Sequence, residues 1–289
     1  MAKLGVHALV WVGGWSEAEA TAAIENTADL GYDFLEIPLL DPWGVDPAFT
    51  RARLDQAKLG ATCSLGLSPE SDISSEDPDT VARGEALLDQ ALKVTRDIGG
   101  THLCGVIHSA MMKYMAPATE RGRDNSIAVL SRLADKAKAA SIVVGLEAVN
   151  RYESNLVNTA GQAVAMIEAI GADNVVAHLD SYHMNIEEGH VAGAIRKAGR
   201  LVGYYHVGES HRGYLGTGTI DFDAAFRALA EIGFDGPIAF ESFSSAVVDP
   251  KLSNMLGVWR NLWSDSRDLA AHAKAYMETH LASARHATA

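Results

Sequence analysis

The sequence contains little cysteine for its length. Only two cysteines, Cys63 and Cys104, occur among 289 residues, and both stand inside apolar runs. Free cysteine is among the most buried residue types, so we expect two buried, reduced thiols. Two such residues indicate neither a disulfide framework nor a zinc cluster.

Basic residues and long apolar runs are also scarce. Lys and Arg number 24 against 37 Asp and Glu, which gives a formal net charge of −13 at pH 7. Proteins that bind duplex nucleic acid need a basic footprint, so this balance argues against that class. No segment approaches the roughly 20 apolar residues of a membrane-spanning helix. We therefore expect no nucleic-acid partner, no membrane partner and a cytoplasmic location.

What the sequence does contain is a regular alternation of short apolar runs with longer amphipathic stretches. Eight runs are strand candidates, at residues 4–10, 33–38, 61–67, 102–107, 142–148, 175–180, 202–207 and 238–241. Eight strand–helix units favour a (β/α)₈ TIM barrel, whose typical length is about 250 residues. A doubly wound sheet is the alternative, although Val12-Gly13-Gly14-Trp15 matches its glycine-rich dinucleotide fingerprint poorly.

No linker or repeat interrupts this alternation, so we predict one domain over residues 1–289. Its last stretch, residues 266–289, is rich in Ala and His and has a helical pattern. We expect an extra C-terminal helix there that serves as the eighth helix, with a frayed tail over about residues 284–289.

Four metal-competent side chains each stand where an apolar run ends: Glu147, Asp180, His206 and Glu241. A carboxylate at the end of a buried strand is unexpected, because burying an unpaired charge is costly. At the carboxyl ends of barrel strands the four would converge where barrel active sites lie. Two Glu, one Asp and one His form an oxygen and nitrogen ligand set that suits Mn²⁺, Mg²⁺ or Co²⁺.

Longer motifs surround these four residues. They are LEAVNRYE at residues 146–153, LDSYHMNIEE at 179–188 and HVGESHR at 206–212. With these motifs the chain closely resembles the ketose 3-epimerase family, which includes D-tagatose, D-allulose (D-psicose) and L-ribulose 3-epimerases. The resemblance covers essentially the full length.

The resemblance implies a catalytic metal centre. Glu147, Asp180, His206 and Glu241 match the family's ligands for one divalent ion per subunit, with Mn²⁺ expected first and Co²⁺ or Mg²⁺ as alternatives. Glu147 and Glu241 also match its two acid/base carboxylates. Inversion at C3 of a ketose removes a proton next to the C2 carbonyl and returns one to the other face, through a cis-enediolate. Two opposed carboxylates suit that chemistry, and a divalent ion would hold O2 and O3.

The resemblance also implies the residues that contact the sugar. His183 and Arg212 match groups that bind the oxygens at C1–C2, and Glu153 matches a residue that hydrogen-bonds the same end. Trp15 and Phe243 match apolar walls.

Three further positions depart from the family pattern. His7 stands where some members carry an aromatic residue, Ser64 where some carry Cys, and Met111 lies with Tyr114 in a loop that carries Trp in some members. These positions would face C4–C6 of the sugar, so the order of substrate preference stays open.

Other histidines and two tryptophans have a less specific interpretation. We interpret His178 as a satisfied histidine of the barrel interior, and His108 and His211 as loop residues at the surface or behind the site. Trp259 and Trp263 would lie one turn apart on a helical face and pack in the core or at a subunit interface. With the family resemblance, this pair suggests a homo-oligomer, as a tetramer or, failing that, a dimer.

Other functions remain open on the same barrel. An aldose–ketose isomerase or an inosose dehydratase would use the same metal and a related intermediate. A DNA-repair enzyme of the endonuclease IV type would need a three-zinc cluster with more His ligands and a DNA-binding face, which the charge of −13 opposes. A non-catalytic sugar-binding protein would not need two opposed carboxylates.

Overall fold

The computed structural model describes residues 2–288 and contains one closed barrel of parallel strands. The strands follow one another around the barrel in chain order, and the first pairs with both the second and the eighth. They are β1 Leu4–His7, β2 Phe34–Pro38, β3 Gly60–Leu67, β4 His102–Ala110, β5 Val143–Ala148, β6 Val175–Asp180, β7 Val202–Val207 and β8 Ile238–Phe240. The predicted (β/α)₈ TIM barrel is confirmed.

Helices follow the strands and form the outer layer. They are α1 Glu17–Asp29, α2 Pro47–Ala57, α3 Pro78–Ile98, α4 Glu120–Ala139, α5 Ala160–Ile170, α6 Ser181–Glu187, α7 Val191–Ala198, α8 Phe222–Glu231, α9 Pro250–Met255 and α10 Ser266–Thr288. Short polar side chains start many of them: the Ser16 hydroxyl accepts from the Glu19 amide at α1, and the Glu19 carboxylate returns a bond to Ser16. No helix within residues 2–288 is long and apolar enough to cross a membrane.

The C-terminal helix that we predicted is α10, and it supplies the eighth helix of the outer layer by packing against α8, β1 and β8. We expected a frayed tail from about residue 284. The structure instead continues α10 to Thr288, with Ala284 buried, and Ala289 lies outside the described residues.

Two predicted strand boundaries were wrong, and both changes matter for the site. The first apolar run does not stay extended to Val10, because β1 ends at His7 and Ala8–Val10 form a 3₁₀ turn. The Nδ1 atom of His7 accepts a hydrogen bond from the Leu9 amide, which caps this turn. Strand β4 runs on to Ala110, so His108 lies in a strand rather than in a loop.

Candidate active site

The four predicted ligands lie at the carboxyl ends of four successive strands. Glu147 lies near the end of β5, Asp180 ends β6, His206 is in β7 and Glu241 directly follows β8. Strand register sets Asp180 directly beside His206. The Nδ1 atom of His206 lies 3.7 Å from Oε1 of Glu147 and 3.6 Å from Oε2 of Glu241. All four side chains are buried, so the structure does bring them together.

The two glutamates experience different electrostatic surroundings. Burial raises the pKa of Glu147 well above its usual range, and the charges of Glu241 and Asp180 add to the rise. Burial acts on Glu241 in the same direction, but the cations Arg212 and His206 outweigh it and lower the pKa of Glu241. Neighbouring carboxylates whose pKa values are pushed apart are suited to opposite acid and base roles.

Arg212 holds one side of the cluster. Its Nη1 atom lies 2.7 Å from Oε2 of Glu241 and 3.2 Å from Oδ2 of Asp180. The guanidinium lies over the Tyr182 ring, 3.9 Å from the ring centre, and 5.2 Å from the centre of the Phe243 ring. Planar stacking of this kind suits Arg and not Lys. Arg212 itself has a left-handed backbone, with φ of 60°.

His183 lies on the other side, and its hydrogen bonds fix which nitrogen carries the proton. Its Nδ1 atom is 3.1 Å from the amide nitrogen of Asn150, which donates to it. In the neutral ring the proton is then on Nε2, which lies 3.7 Å from Oε1 of Glu147 and 4.0 Å from Oε2 of Glu153. Burial lowers the pKa of His183 well below its usual range, which favours this neutral donor. Glu153 accepts from the Asn150 side chain at 2.9 Å.

A cavity of about 580 Å³, counting its open mouth, lies above these groups. Most of the predicted site residues line it: His7, Ser64, Met111, Glu147, Glu153, His183, His206, Arg212, Glu241 and Phe243. Asp180 lies just beneath, fully buried. The structure does not bring Trp15 into this cavity. Its indole Nε1 donates to Thr50, and the ring lines a neighbouring depression with Leu40 and Val45.

Comparison with known proteins places this chain in a family. The profile of the xylose isomerase-like TIM barrel family matches residues 24–279. The ketose 3-epimerase of Arthrobacter globiformis is 50% identical over 279 residues, which are 96% of each chain. The L-ribulose 3-epimerase of Methylomonas sp. (strain DH-1) is 52% identical over 276 residues, again 96% of each. The chain belongs to the ketose 3-epimerases of this barrel family. It is therefore an enzyme of the isomerase class.

Solved structures agree with this assignment. The D-allulose 3-epimerase from Methylomonas sp., solved in complex with D-allulose, is 51% identical and superposes with a TM-score of 0.95 over 96% of this chain and 97% of that one. A structure of an L-ribulose 3-epimerase is 44% identical, with a TM-score of 0.97 over 100% of this chain and 97% of that one.

Three histidines outside the predicted ligand set agree with our expectations to different degrees. His108 is fully buried in β4, and its Nε2 donates to the carbonyl oxygen of Glu147 at 2.9 Å, so it braces the backbone of a site residue. His178 lies in the barrel interior as predicted, but neither ring nitrogen has a hydrogen-bond partner within residues 2–288. His211 is half-buried in a loop, where its Nδ1 accepts from the Gly213 amide.

The expected helical face shared by Trp259 and Trp263 was wrong. The chain between α9 and α10 is irregular, and the two rings have opposite surroundings. Trp259 is 77% exposed, whereas Trp263 is 5% exposed. The indole Nε1 of Trp263 donates to Oγ of Ser242 at 2.7 Å, and that hydroxyl donates to the carbonyl oxygen of Arg212. Trp263 thus supports the loop that carries Arg212.

The residues present fit a divalent cation. Nδ1 of His206 is buried without a hydrogen-bond partner in the described part of the chain, and Oδ2 of Asp180 has no hydrogen bond there beyond its ion pair with Arg212. Ligand atoms of Asp180, His206 and Glu241 lie within 4.8 Å of one another, as do those of Glu147, Asp180 and His183. Such buried groups are costly unless paired or bound to a metal. The carboxylates in this cluster outnumber the cationic side chains, so a bound positive ion would reduce their mutual repulsion.

We did not predict Glu36 as a site residue, and the structure places it directly behind His206. It is fully buried in β2, and its Oε2 lies 2.7 Å from Nε2 of His206. Burial disfavours the charged imidazolium, but Glu36 and then Glu241 outweigh this and raise the pKa of His206 to about 10. A single carboxylate in the apolar run Phe34–Pro38 was the signal that could have revealed it.

Proposed function

We propose that this chain is a metal-dependent epimerase that interconverts free ketoses at C3, without moving the carbonyl from C2. The supporting observation is the placement of Glu147 and Glu241 at the two ends of the arc from β5 to β8, with His206 between them. Carboxylates at the two ends of that arc approach a bound sugar from opposite sides. Two acid/base groups on opposite faces of one carbon are what inversion requires.

Each residue of the site has a separate role in the proposed reaction. One glutamate removes the C3 proton and the other delivers a proton to the opposite face. Because epimerisation is reversible, each glutamate acts as the base for one epimer and as the acid for the other. Nε2–H of His183 and the guanidinium of Arg212 supply hydrogen bonds to the oxygens at C1–C2 as charge develops there. A divalent cation, held by Glu147, Asp180, His206 and Glu241, would act as a Lewis acid toward O2 and O3.

Mn²⁺ is the ion that we propose, with Co²⁺ or Mg²⁺ as substitutes. Three carboxylates and one imidazole nitrogen form a ligand set that suits these ions, and neither cysteine can contribute to it. Cys63 and Cys104 are free and buried, as predicted, and neither lines the cavity.

The substrates that we propose are D-fructose and D-allulose, D-tagatose and D-sorbose, and L-ribulose and L-xylulose. The far side of the cavity is mainly apolar, with Met111, Phe243, Leu252 and Leu256 among its walls. Apolar walls discriminate by only about 1–3 kcal/mol per small group, so both pentuloses and hexuloses should react. His7 and Ser64, whose side chains are 3.2 Å apart, are the polar exception.

We also propose a cytoplasmic homo-oligomer, as a tetramer or, failing that, a dimer. Exposed apolar side chains on one segment support association: Met255 and Trp259 are more than half exposed, and Leu262 lies close to them in sequence. An exposed apolar patch of this kind is typical of a protein interface.

Product analysis tests the proposed function. The protein is stripped with EDTA, reloaded with Mn²⁺ and incubated with a panel of free ketoses, and the products are identified by NMR. We expect each ketose to give its C3 epimer with the carbonyl still at C2. Accumulation of an aldose would show an aldose–ketose isomerase instead. Asp180→Ala, which removes a ligand without touching either acid/base glutamate, should abolish turnover, whereas the exposed Asp173→Ala should not change it.

A further inference from the structure

A chain of hydrogen bonds runs through the barrel interior beneath His206. The Tyr204 hydroxyl donates to Oε2 of Glu36 at 2.7 Å, and the same oxygen accepts from Nε2 of His206 at 2.7 Å. The Thr62 hydroxyl lies 2.8 Å from the Tyr204 oxygen and donates to it, since the Tyr204 proton is already used. These groups come from β2, β3 and β7, and all are buried.

The chain of bonds determines which nitrogen of His206 is free. An ionised carboxylate only accepts hydrogen bonds, so the proton on Nε2 of His206 points at Glu36. To bind a cation the ring must be neutral, and its lone pair is then on Nδ1, which faces Glu147 and Glu241 and has no hydrogen-bond partner in the described structure. A metal-ligating histidine typically donates its other N–H to a carboxylate in this way, which fixes both the tautomer and the ring orientation.

We propose that Glu36 is the positioning residue of the metal centre: it holds His206 in the tautomer and orientation that bind the cation, and Tyr204 and Thr62 hold Glu36 in turn. This inference rests on the metal site of the proposed function, but not on the identity of the reaction. Glu36 does not line the cavity, so it acts through His206 and not by touching a substrate.

The cost of burying Glu36 indicates that it does more than fill space. A carboxylate with no exposed surface is expensive unless it is fully paired. Only one of its oxygens is hydrogen-bonded. Oε1 has no hydrogen-bond partner within residues 2–288, and Nε2 of His7 lies 3.8 Å from it. An apolar residue in β2 would pack the interior without this cost, so a purely structural role does not explain the charge.

Metal affinity is the measurement that tests this inference. Mn²⁺ binding is measured by isothermal titration calorimetry on the EDTA-stripped protein, with competition from a chelator where binding is tight. Glu36→Gln keeps an acceptor oxygen but loses the charge, and we expect Mn²⁺ to bind about 10- to 100-fold more weakly. Tyr204→Phe removes one hydrogen bond to Glu36 and should weaken binding by about two- to tenfold.

Tyr32→Phe is the matched control. Tyr32 is also buried and donates to a backbone carbonyl, that of Ala270, at 2.8 Å, but it precedes β2 and so lies at the amino ends of the strands, opposite the site. This variant should lose stability as Tyr204→Phe does and keep wild-type Mn²⁺ affinity. Melting temperatures in EDTA report how much each change disturbs the fold without metal.

Two results would overturn the inference. One is a folded Glu36→Gln protein that binds Mn²⁺ as tightly as wild type, even if it melts earlier in EDTA, because that is the behaviour of a merely structural residue. If Glu36→Gln does not fold, Tyr204→Phe provides the test instead. The second overturning result is then an equal Mn²⁺ affinity in Tyr204→Phe and Tyr32→Phe. A protein that binds Mn²⁺ in the expected order but fails to epimerise any ketose would contradict the proposed function and leave this inference standing.

Discussion

Metal binding should stabilise this barrel, because the cation relieves repulsion among buried carboxylates. Glu147, Asp180 and Glu241 converge, and among residues 2–288 the neighbouring cations are Arg212 and His206. A ligand that binds only the folded state at 100 times its Kd adds about 2.7 kcal/mol to the free energy of unfolding. With an unfolding entropy of about 2.1 cal/mol/K per residue, that increment corresponds to a rise in Tm of roughly 4–5 °C for a chain of 289 residues.

Scanning calorimetry on EDTA-stripped and Mn²⁺-loaded protein measures this shift. His206→Asn removes the one nitrogen ligand and should lose most of the rise in Tm. His272→Asn is the matched control, because His272 lies on α10, away from the candidate ligands, and its Nε2 donates to the carbonyl oxygen of Leu215. Wild-type protein that is verified as metal-free and melts at the same temperature as the loaded form would refute the reasoning.

Three further predictions follow from the site and its supports. Glu241→Gln should nearly abolish epimerisation while one epimer still exchanges its C3 hydrogen in D₂O through Glu147; a metal-replete variant that epimerises at the wild-type rate would remove Glu241 from the acid/base pair. Trp263→Phe removes the hydrogen bond to Ser242 and should lower the free energy of unfolding, measured in urea, by about 1–3 kcal/mol. The exposed Trp259→Phe should leave that free energy almost unchanged. Light scattering at micromolar protein should give a multiple of 30.8 kDa, and a monomer mass would contradict the proposed oligomer.

The convergence of the four candidate ligands was predictable from sequence, because all strands of a parallel barrel end at the same rim. A carboxylate or histidine at the end of an apolar run therefore faces its counterparts from neighbouring strands. Glu147, Asp180 and His206 satisfy that rule, and Glu241 follows β8 directly. Strand number and order also follow from the alternation of apolar and amphipathic stretches, which the closed barrel confirms.

The strand pattern could not predict the contacts of residues whose partners are far away in sequence. Glu36 contacts Tyr204 and His206 across 168 and 170 residues, so the strand pattern marks it only as an isolated charge. The apolar stretch at the N-terminus predicts a strand through Val10, but the hydrogen bond from the Leu9 amide to His7 turns the chain earlier. Trp15 was assigned to the cavity by resemblance alone, and its bond to Thr50 holds it outside.

The most direct test of C3 inversion is to run the Mn²⁺-loaded enzyme in D₂O with D-fructose or D-allulose and to read both products by NMR. We expect one solvent deuterium at C3 of the epimer that forms, with the carbonyl unchanged at C2 and C1 unlabelled. An aldose that carries deuterium at C2, or an epimer with no deuterium at C3, would contradict the opposed action of Glu147 and Glu241.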